Sequence, residues 1–186
     1  VVSSESFTVL TYPETNNSRI VSTDDGNLMK GQKLRGEFVA RQDNLGIVSV
    51  KVDKVSYTGE EDLLVFRIKE QGASDWLHTN EYKGGIFRGS RVFTFGFPII
   101  ESSRGHTYYF ELESLKGTAV NAIQISNASP IITSRYKFSK SDILNTSFFP
   151  EFLIAKVHTL FINTDHLSST VIFLMPFVLY IMGLLY

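Results

Sequence analysis

Trp76, His78, Asn80 and Tyr82 crowd one short stretch, SDWLHTNEY, with Asp75 alongside. A flat aromatic face ringed by hydrogen-bonding side chains suits a polyhydroxylated ring. The indole stacks on C–H bonds, and amide, imidazole and phenol groups meet the hydroxyls. Trp76 is the single tryptophan of the chain. The competing reading turns its indole into a core, as a packing residue. A second cluster, Asp24, Asp25 and Asn27 around Gly26, offers several oxygens in a tight loop. Hard cations want such a loop, so a structural calcium is one expectation and an ordinary polar turn the other. Asp43 and Asn44 are a weaker oxygen source.

Other chemistries lack their patterns. There is no G-x-S-x-G elbow, no H-E-x-x-H pair and no phosphate-binding glycine loop. Gly84, Gly85 and Gly89 in KGGIFRG have the wrong spacing for one. His78, His106, His158 and His166 are scattered and give no i,i+4 metal pair. Ser102, Ser103 and His106 lie close in sequence, which marks a turn, since triads assemble across a fold. Cysteine is absent, which excludes a disulfide framework or a thiolate-bound zinc. Eighteen basic and nineteen acidic residues leave a formal charge of −1, with no surplus to attract nucleic acid. The expectation is a protein that is not an enzyme and holds no cofactor beyond that calcium. Asn16, Asn127 and Asn145 begin N-x-S sequons, which matter only in a eukaryotic secretory pathway.

The elements that must position these residues read as strands. Apolar residues alternate with polar ones in Lys33–Ala40, Gly46–Val55, Leu63–Lys69, Arg91–Phe97 and Thr107–Ser114. Phe7 and Val9 open the series, and Asn121–Ser126 and Ile131–Phe138 close it. Turn signals fall at Thr58-Gly59, Gln71-Gly72, Lys83-Gly84-Gly85, Arg104-Gly105 and Lys116-Gly117. About eight short strands, each with one apolar face, bury those faces only by stacking two sheets. The predicted class is all-β: a two-sheet β-sandwich, with a jelly roll preferred to an immunoglobulin-like topology, spanning residues 1–141.

Helical periodicity begins only at Pro150. Phe149, Leu153, Val157, Leu160 and Phe161 recur at helical spacing within residues 142–165, as in an amphipathic segment on a membrane surface or a helix packed on the domain. From His166 to Tyr186 no residue carries a formal charge. About 20 such residues make roughly 30 Å of helix, one hydrocarbon thickness, so residues 166–186 are expected to span a bilayer. With no initiator Met and no cationic stop signal, the chain reads as a piece of a longer product, and charge alone leaves its orientation weakly determined.

Three stretches carry a resemblance: GQKLRGEFVARQDNLGIVSVKV (Gly31 to Val52), LLVFRIKE (Leu63 to Glu70) and FTFGFPIIESSRGHTYYFELES (Phe93 to Ser114). Their order resembles a β-sandwich domain in the extracytoplasmic parts of bacterial multi-pass membrane proteins, some similar to membrane glycosyltransferases of the mannosyltransferase type. Such sandwiches look like carbohydrate-binding modules of jelly-roll shape. The resemblance implies a cell-membrane location with the β-domain on the extracytoplasmic side, and it carries no catalytic residue. The expected function is a non-catalytic, membrane-anchored module that binds or positions glycan or envelope material. The expected partners are the lipid bilayer, a glycan and other membrane subunits. The alternatives are a structural interaction subunit, or a fragment of a membrane glycosyltransferase whose catalytic part lies elsewhere.

Overall fold

The computed structural model describes residues 8–14, 18–21, 26–55, 62–87, 91–127, 130–144, 148–162 and Met175. The chain divides into two compact units, residues 11–137 and residues 1–10 with 138–186. Eleven strands lie among the described residues: β1 (Thr8–Pro13), β2 (Ser18–Val21), β3 (Asn27–Leu28), β4 (Lys33–Val39), β5 (Leu45–Val55), β6 (Leu63–Glu70), β7 (His78–Lys83), β8 (Val92–Ile100), β9 (Thr107–Ser114), β10 (Ile123–Ile125) and β11 (Ile132–Phe138). One sheet runs β1-β11-β5-β10-β3, with β8 also paired to β5. The other runs β2-β4-β9-β6-β7. The paired strands whose register is resolved are antiparallel, and the fold is the expected sandwich.

Alternation explains the layering. In β4, β6 and β9, Leu34, Gly36, Phe38, Leu64, Phe66, Ile68, Tyr108, Phe110 and Leu112 are buried inward, and the residues alternating with them face outward. Val48, Val50, Val52, Phe93, Phe95 and Phe97 answer them from β5 and β8. Phe66 sits at the centre. Its ring lies parallel to Phe95 at a centroid distance of 4.7 Å, with Phe110 at 5.9 Å and Phe97 at 6.2 Å. Offset aromatic pairs of this kind add to the area that they bury.

Gly36 is what lets Phe110 lie flat. It pairs with Phe110 across β4 and β9, and an added Cβ would fall 2.2 Å from Cε1 of that ring and 2.9 Å from Cδ1 of Ile132. Beside the sheet, buried Asp62 accepts hydrogen bonds from the Ser114 hydroxyl at 2.7 Å and the Lys116 N–H at 2.9 Å. The Ser114 hydroxyl oxygen accepts in turn from the Gly117 N–H. That staple fixes the chain as it leaves β9, with the pKa of Asp62 raised by burial despite the bonds.

Among the described residues the second unit holds two helices, α1 (Lys140–Leu144) and α2 (Phe149–Ile162). Ser139 and Asp142 form reciprocal caps at the start of α1, each side chain bonding the other's backbone N–H. Phe138, Phe148 and Phe152 form an aromatic cluster, whereas Phe149, Leu153 and Ile154 are exposed. Among the described residues no helix is long and apolar enough to cross a membrane. The expected spanning segment, residues 166–186, lies outside the described residues except for Met175.

Candidate functional site

The outward faces of β4, β9 and β6 form three rows set by register. The first is Lys33, Glu113 and Val65; the second Arg35, Glu111 and Arg67; the third Glu37, Tyr109 and Lys69. Glu111 is 4% exposed and draws three cations: Lys33 Nζ at 2.9 Å, Arg35 Nε at 3.2 Å and Arg67 Nη1 at 2.9 Å. Glu113 takes Arg67 at 2.6 Å and Lys33 at 3.4 Å. The Arg67 hydrogen bond holds the Glu113 carboxyl below its ordinary value, and the same bond raises Arg67. Opposite charges on adjacent outward positions lock the three strands side by side.

The third row ends in a groove. The turn Gln71–Leu77 between β6 and β7 carries Trp76 back to that face, where its ring lies 5.8 Å from the Tyr109 ring at an interplanar angle of 31°. Lys69 Nζ sits 5.2 Å from the indole centroid and donates to the Ala73 carbonyl at 2.8 Å, so it holds both the ring and the turn. Gln71 Nε2 donates to Glu37 Oε1 at 3.3 Å across the other side. Glu37, Lys69, Gln71, Gly72, Trp76, Tyr109 and Glu111 together line a concavity of about 410 Å3, open to solvent. That volume falls in the range of small-ligand sites. Trp76 and Tyr109 are each partly exposed. Burial raises the Tyr109 phenol above its ordinary value, so at neutral pH it keeps its proton and can donate.

The structure does not bring the rest of the SDWLHTNEY cluster to this groove. His78, Asn80 and Tyr82 sit on β7 opposite Ile68, Phe66 and Leu64, so they share the inward side of the sheet. His78 stacks on Phe97 at 5.7 Å, and Tyr82 meets Phe95 edge-on at 5.2 Å. Asn80 Nδ2 and the Tyr82 hydroxyl both donate to the Gly96 carbonyl at 3.1 Å, which ties β7 to β8 at the sandwich edge. Burial lowers the His78 pKa and favours its neutral form. A linear cluster became two because strand alternation begins just after Trp76.

Tyr109, Lys69, Glu37, Gln71 and Glu111 did not figure among the sequence candidates. A signal for Tyr109 was present. In Thr107–Ser114 the apolar positions are Tyr108, Phe110 and Leu112, which leaves Tyr109 as an aromatic on the polar face. Of the calcium candidates, Asp24 and Asp25 lie outside the described residues. Asn27 stands in β3, paired with Gln124 of β10. Among the described residues no three acidic or histidine side chains gather as a metal site. Asp43 Oδ1 accepts the Arg104 N–H at 3.0 Å. The Ser103 hydroxyl is spent on backbone, donating to the Gln42 carbonyl and accepting the Leu45 N–H. His106 pairs with Glu70 at 2.7 Å, so this stretch is the turn that its sequence suggested.

No family model matches the chain, and no curated protein does. Among solved structures it is similar to a xylan-binding module, CBM15, at 16% identity and TM-score 0.40, covering 70% of this chain and 97% of that one. It is similar to TmCBM61, solved with β-1,4-galactotriose, at 8% identity and TM-score 0.33, covering 71% and 88%. The P-domain of Macrobrachium rosenbergii nodavirus is also similar, at 10% identity and TM-score 0.27, covering 74% and 94%. The neighbours thus include carbohydrate-binding β-sandwiches. Likeness at this level names neither a family nor a ligand, and none of it supports the expected association with membrane glycosyltransferases.

Proposed function

We propose that the chain is a non-catalytic glycan-binding module whose site is the Trp76–Tyr109 groove on the outer face of β4, β9 and β6. The observation that carries this reading is the pairing of two partly exposed aromatic rings with Glu37, Gln71 and Lys69 at the rim of one open concavity. Sugar rings offer C–H faces for stacking and hydroxyls that both donate and accept, and the groove supplies both kinds of contact. Glycoside hydrolysis would ask for two available carboxylates. Of the two in the groove, Glu111 is already engaged by three cations.

The strands alternate between the two sheets along much of the chain, which supports a jelly-roll connectivity for the sandwich. Residues 142–165 and 166–186 would hold the domain at a membrane, with the sandwich on the extracytoplasmic side. The uncharged run from His166 to Tyr186 supports that anchoring. The experiment is glycan-array and calorimetric binding with the intact chain and with Trp76→Ala. The reading expects saturable binding to at least one glycan, lost in the variant while its melting temperature stays within about 2 °C. Unaltered binding by Trp76→Ala, or no binding to any glycan, overturns it.

A further inference from the structure

The sheet that does not carry the groove has an outward face of its own. Ile132, Ser134 and Tyr136 of β11 are buried, so Thr133, Arg135 and Lys137 alternate to the outside. Register sets Thr133 beside Ser49 of β5 and Ser49 beside Thr94 of β8, and it sets Arg135 beside Ile47. Two polar atoms on this face lack partners. The Arg135 Nε and the Thr133 hydroxyl oxygen are shielded from solvent and make no hydrogen bond. Their residues stand two apart on one side of one strand, with backbones about 7 Å from each other. No carboxylate balances the guanidinium. Among the described residues, the outward positions of β11, β5 and β8 hold one acid, Asp53, six positions along β5 from Ile47 and so about 20 Å away. Thr11 and Pro13 of β1, which pairs with the other edge of β11, are uncharged. Lys137, whose side chain runs over Gly46, adds a second cation. Burial lowers the Arg135 pKa, and no charged neighbour opposes it.

We propose that this face carries a second site, separate from the glycan groove, for a tetrahedral oxyanion of the sulfate or phosphate kind, free or as an ester, with Arg135 and Thr133 holding it. Buried donors without acceptors, one of them charged, destabilise a fold, and an anion that accepts from both removes that penalty. The guanidinium offers a planar fork of N–H groups to two oxygens of one anion. The Thr133 hydroxyl comes from a different position of the strand and reaches a third oxygen. A tetrahedral head has a third oxygen to offer; a carboxylate has none. Arg135 and Thr133 are both partly exposed as residues, so a change of arginine rotamer brings these donors to solvent. Among the described residues no aromatic ring stands on the outward positions of β11, β5 and β8, so charge rather than stacking makes the contact.

The test uses the intact chain in detergent, with calorimetry and melting temperature as readouts. The probes are inorganic sulfate and phosphate, each compared with chloride at equal ionic strength so that screening is common to both. Wild type is expected to bind both saturably at millimolar concentration and to melt higher when they are bound. Arg135→Met should weaken binding about tenfold or more and, having lost a part-buried charge without a partner, melt in chloride no lower than wild type. Thr133→Val should weaken binding about threefold to tenfold. Lys30→Gln, which removes an exposed cation elsewhere, should leave binding unchanged. Glucose 6-phosphate and glucose 6-sulfate separate the two sources of the anion: tighter binding than the inorganic ions assigns an ester, weaker or equal binding the free anion, and either supports the site. Acetate should bind at least about tenfold more weakly than sulfate. Equal affinity for acetate overturns the proposal, as does the absence of saturable binding in wild type. Binding that neither Arg135→Met nor Thr133→Val weakens also overturns it. An Arg135→Met variant that melts well below wild type, or does not fold, would show a guanidinium already satisfied by the fold, with the same result.

Discussion

Gly36→Ala adds one methyl group in the most crowded part of the sandwich. The new Cβ would sit 2.2 and 2.4 Å from Cε1 and Cζ of Phe110 and 2.9 Å from Cδ1 of Ile132. Carbon atoms at rest stay about 3.5–4.0 Å apart, so the ring must move by more than about 1 Å. Its neighbours leave it little room. Phe110 is fully buried, with the Phe66 ring 5.9 Å away and Phe38 at 6.5 Å. Overpacking of this kind costs about 1–3 kcal/mol. The reduced freedom of alanine in the unfolded chain returns about 0.4–1 kcal/mol. The net expectation is a loss of about 1–2 kcal/mol, on the order of 3–8 °C in melting temperature for a sandwich of this size. Urea unfolding followed by far-UV circular dichroism measures it, and Phe110→Leu supplies the control. Leucine is smaller, so Gly36→Ala should cost less in the Phe110→Leu background than in wild type, with a coupling of at least about 0.5 kcal/mol. If Gly36→Ala is neutral or stabilising in wild type, the Phe110 ring does not lie over Gly36 and the inward face of β4 has been misread.

The remaining expectations concern the core, a buried acid and the anchor. Phe66→Ala and Phe95→Ala should each cost about 3–5 kcal/mol, and a double-mutant cycle should give about 0.5–1.5 kcal/mol of coupling for the stacked pair; additivity would deny the stack. Glu14 is buried, accepts a hydrogen bond from Ser134 and lies 3.8 Å from Arg41, yet burial outweighs both and raises its pKa. Folding therefore favours protonated Glu14. Its contribution to stability is full below the ordinary glutamate value, about 4.3, and is lost as pH rises through the higher folded value. Glu14→Gln should remove that slope from unfolding curves taken between pH 4 and neutrality, and an unchanged slope would assign it to another group. The intact chain should enter detergent micelles and a chain ending at residue 141 should not; equal partitioning would leave residues 142–186 without the anchoring role.

Much of this sandwich is legible in the sequence because its apolar residues alternate wherever a strand covers the core. Phe93, Phe95 and Phe97, and likewise Tyr108, Phe110 and Leu112, could only be inward faces, and they are buried. β7 escaped that reading. At the sheet edge its inward positions are filled by His78, Asn80 and Tyr82, side chains with an apolar body and a polar tip, so HTNEYK shows no hydrophobic period. The same three residues then looked like ligands of Trp76, because neighbours in sequence are easily taken for neighbours in space. The true companions of Trp76 come from strands far along the chain: Tyr109 from β9 and Glu37 from β4 are brought to it by register, which no local pattern announces. Charge rows such as Arg35, Glu111 and Arg67 are equally silent until the strands are paired. β3, two residues long, carries too little pattern to be read at all.

Trp76 is the only tryptophan in the chain, so its fluorescence reports on the groove and nothing else. Titrating the intact protein with oligosaccharides, in the presence and absence of iodide, is the most direct measurement. The account predicts a free indole that iodide quenches in part, a saturable change in emission on adding a glycan, protection from iodide in the bound state, and loss of the response in Tyr109→Ala. An indole that iodide cannot reach, or an emission spectrum that no glycan alters at millimolar concentration, would contradict it.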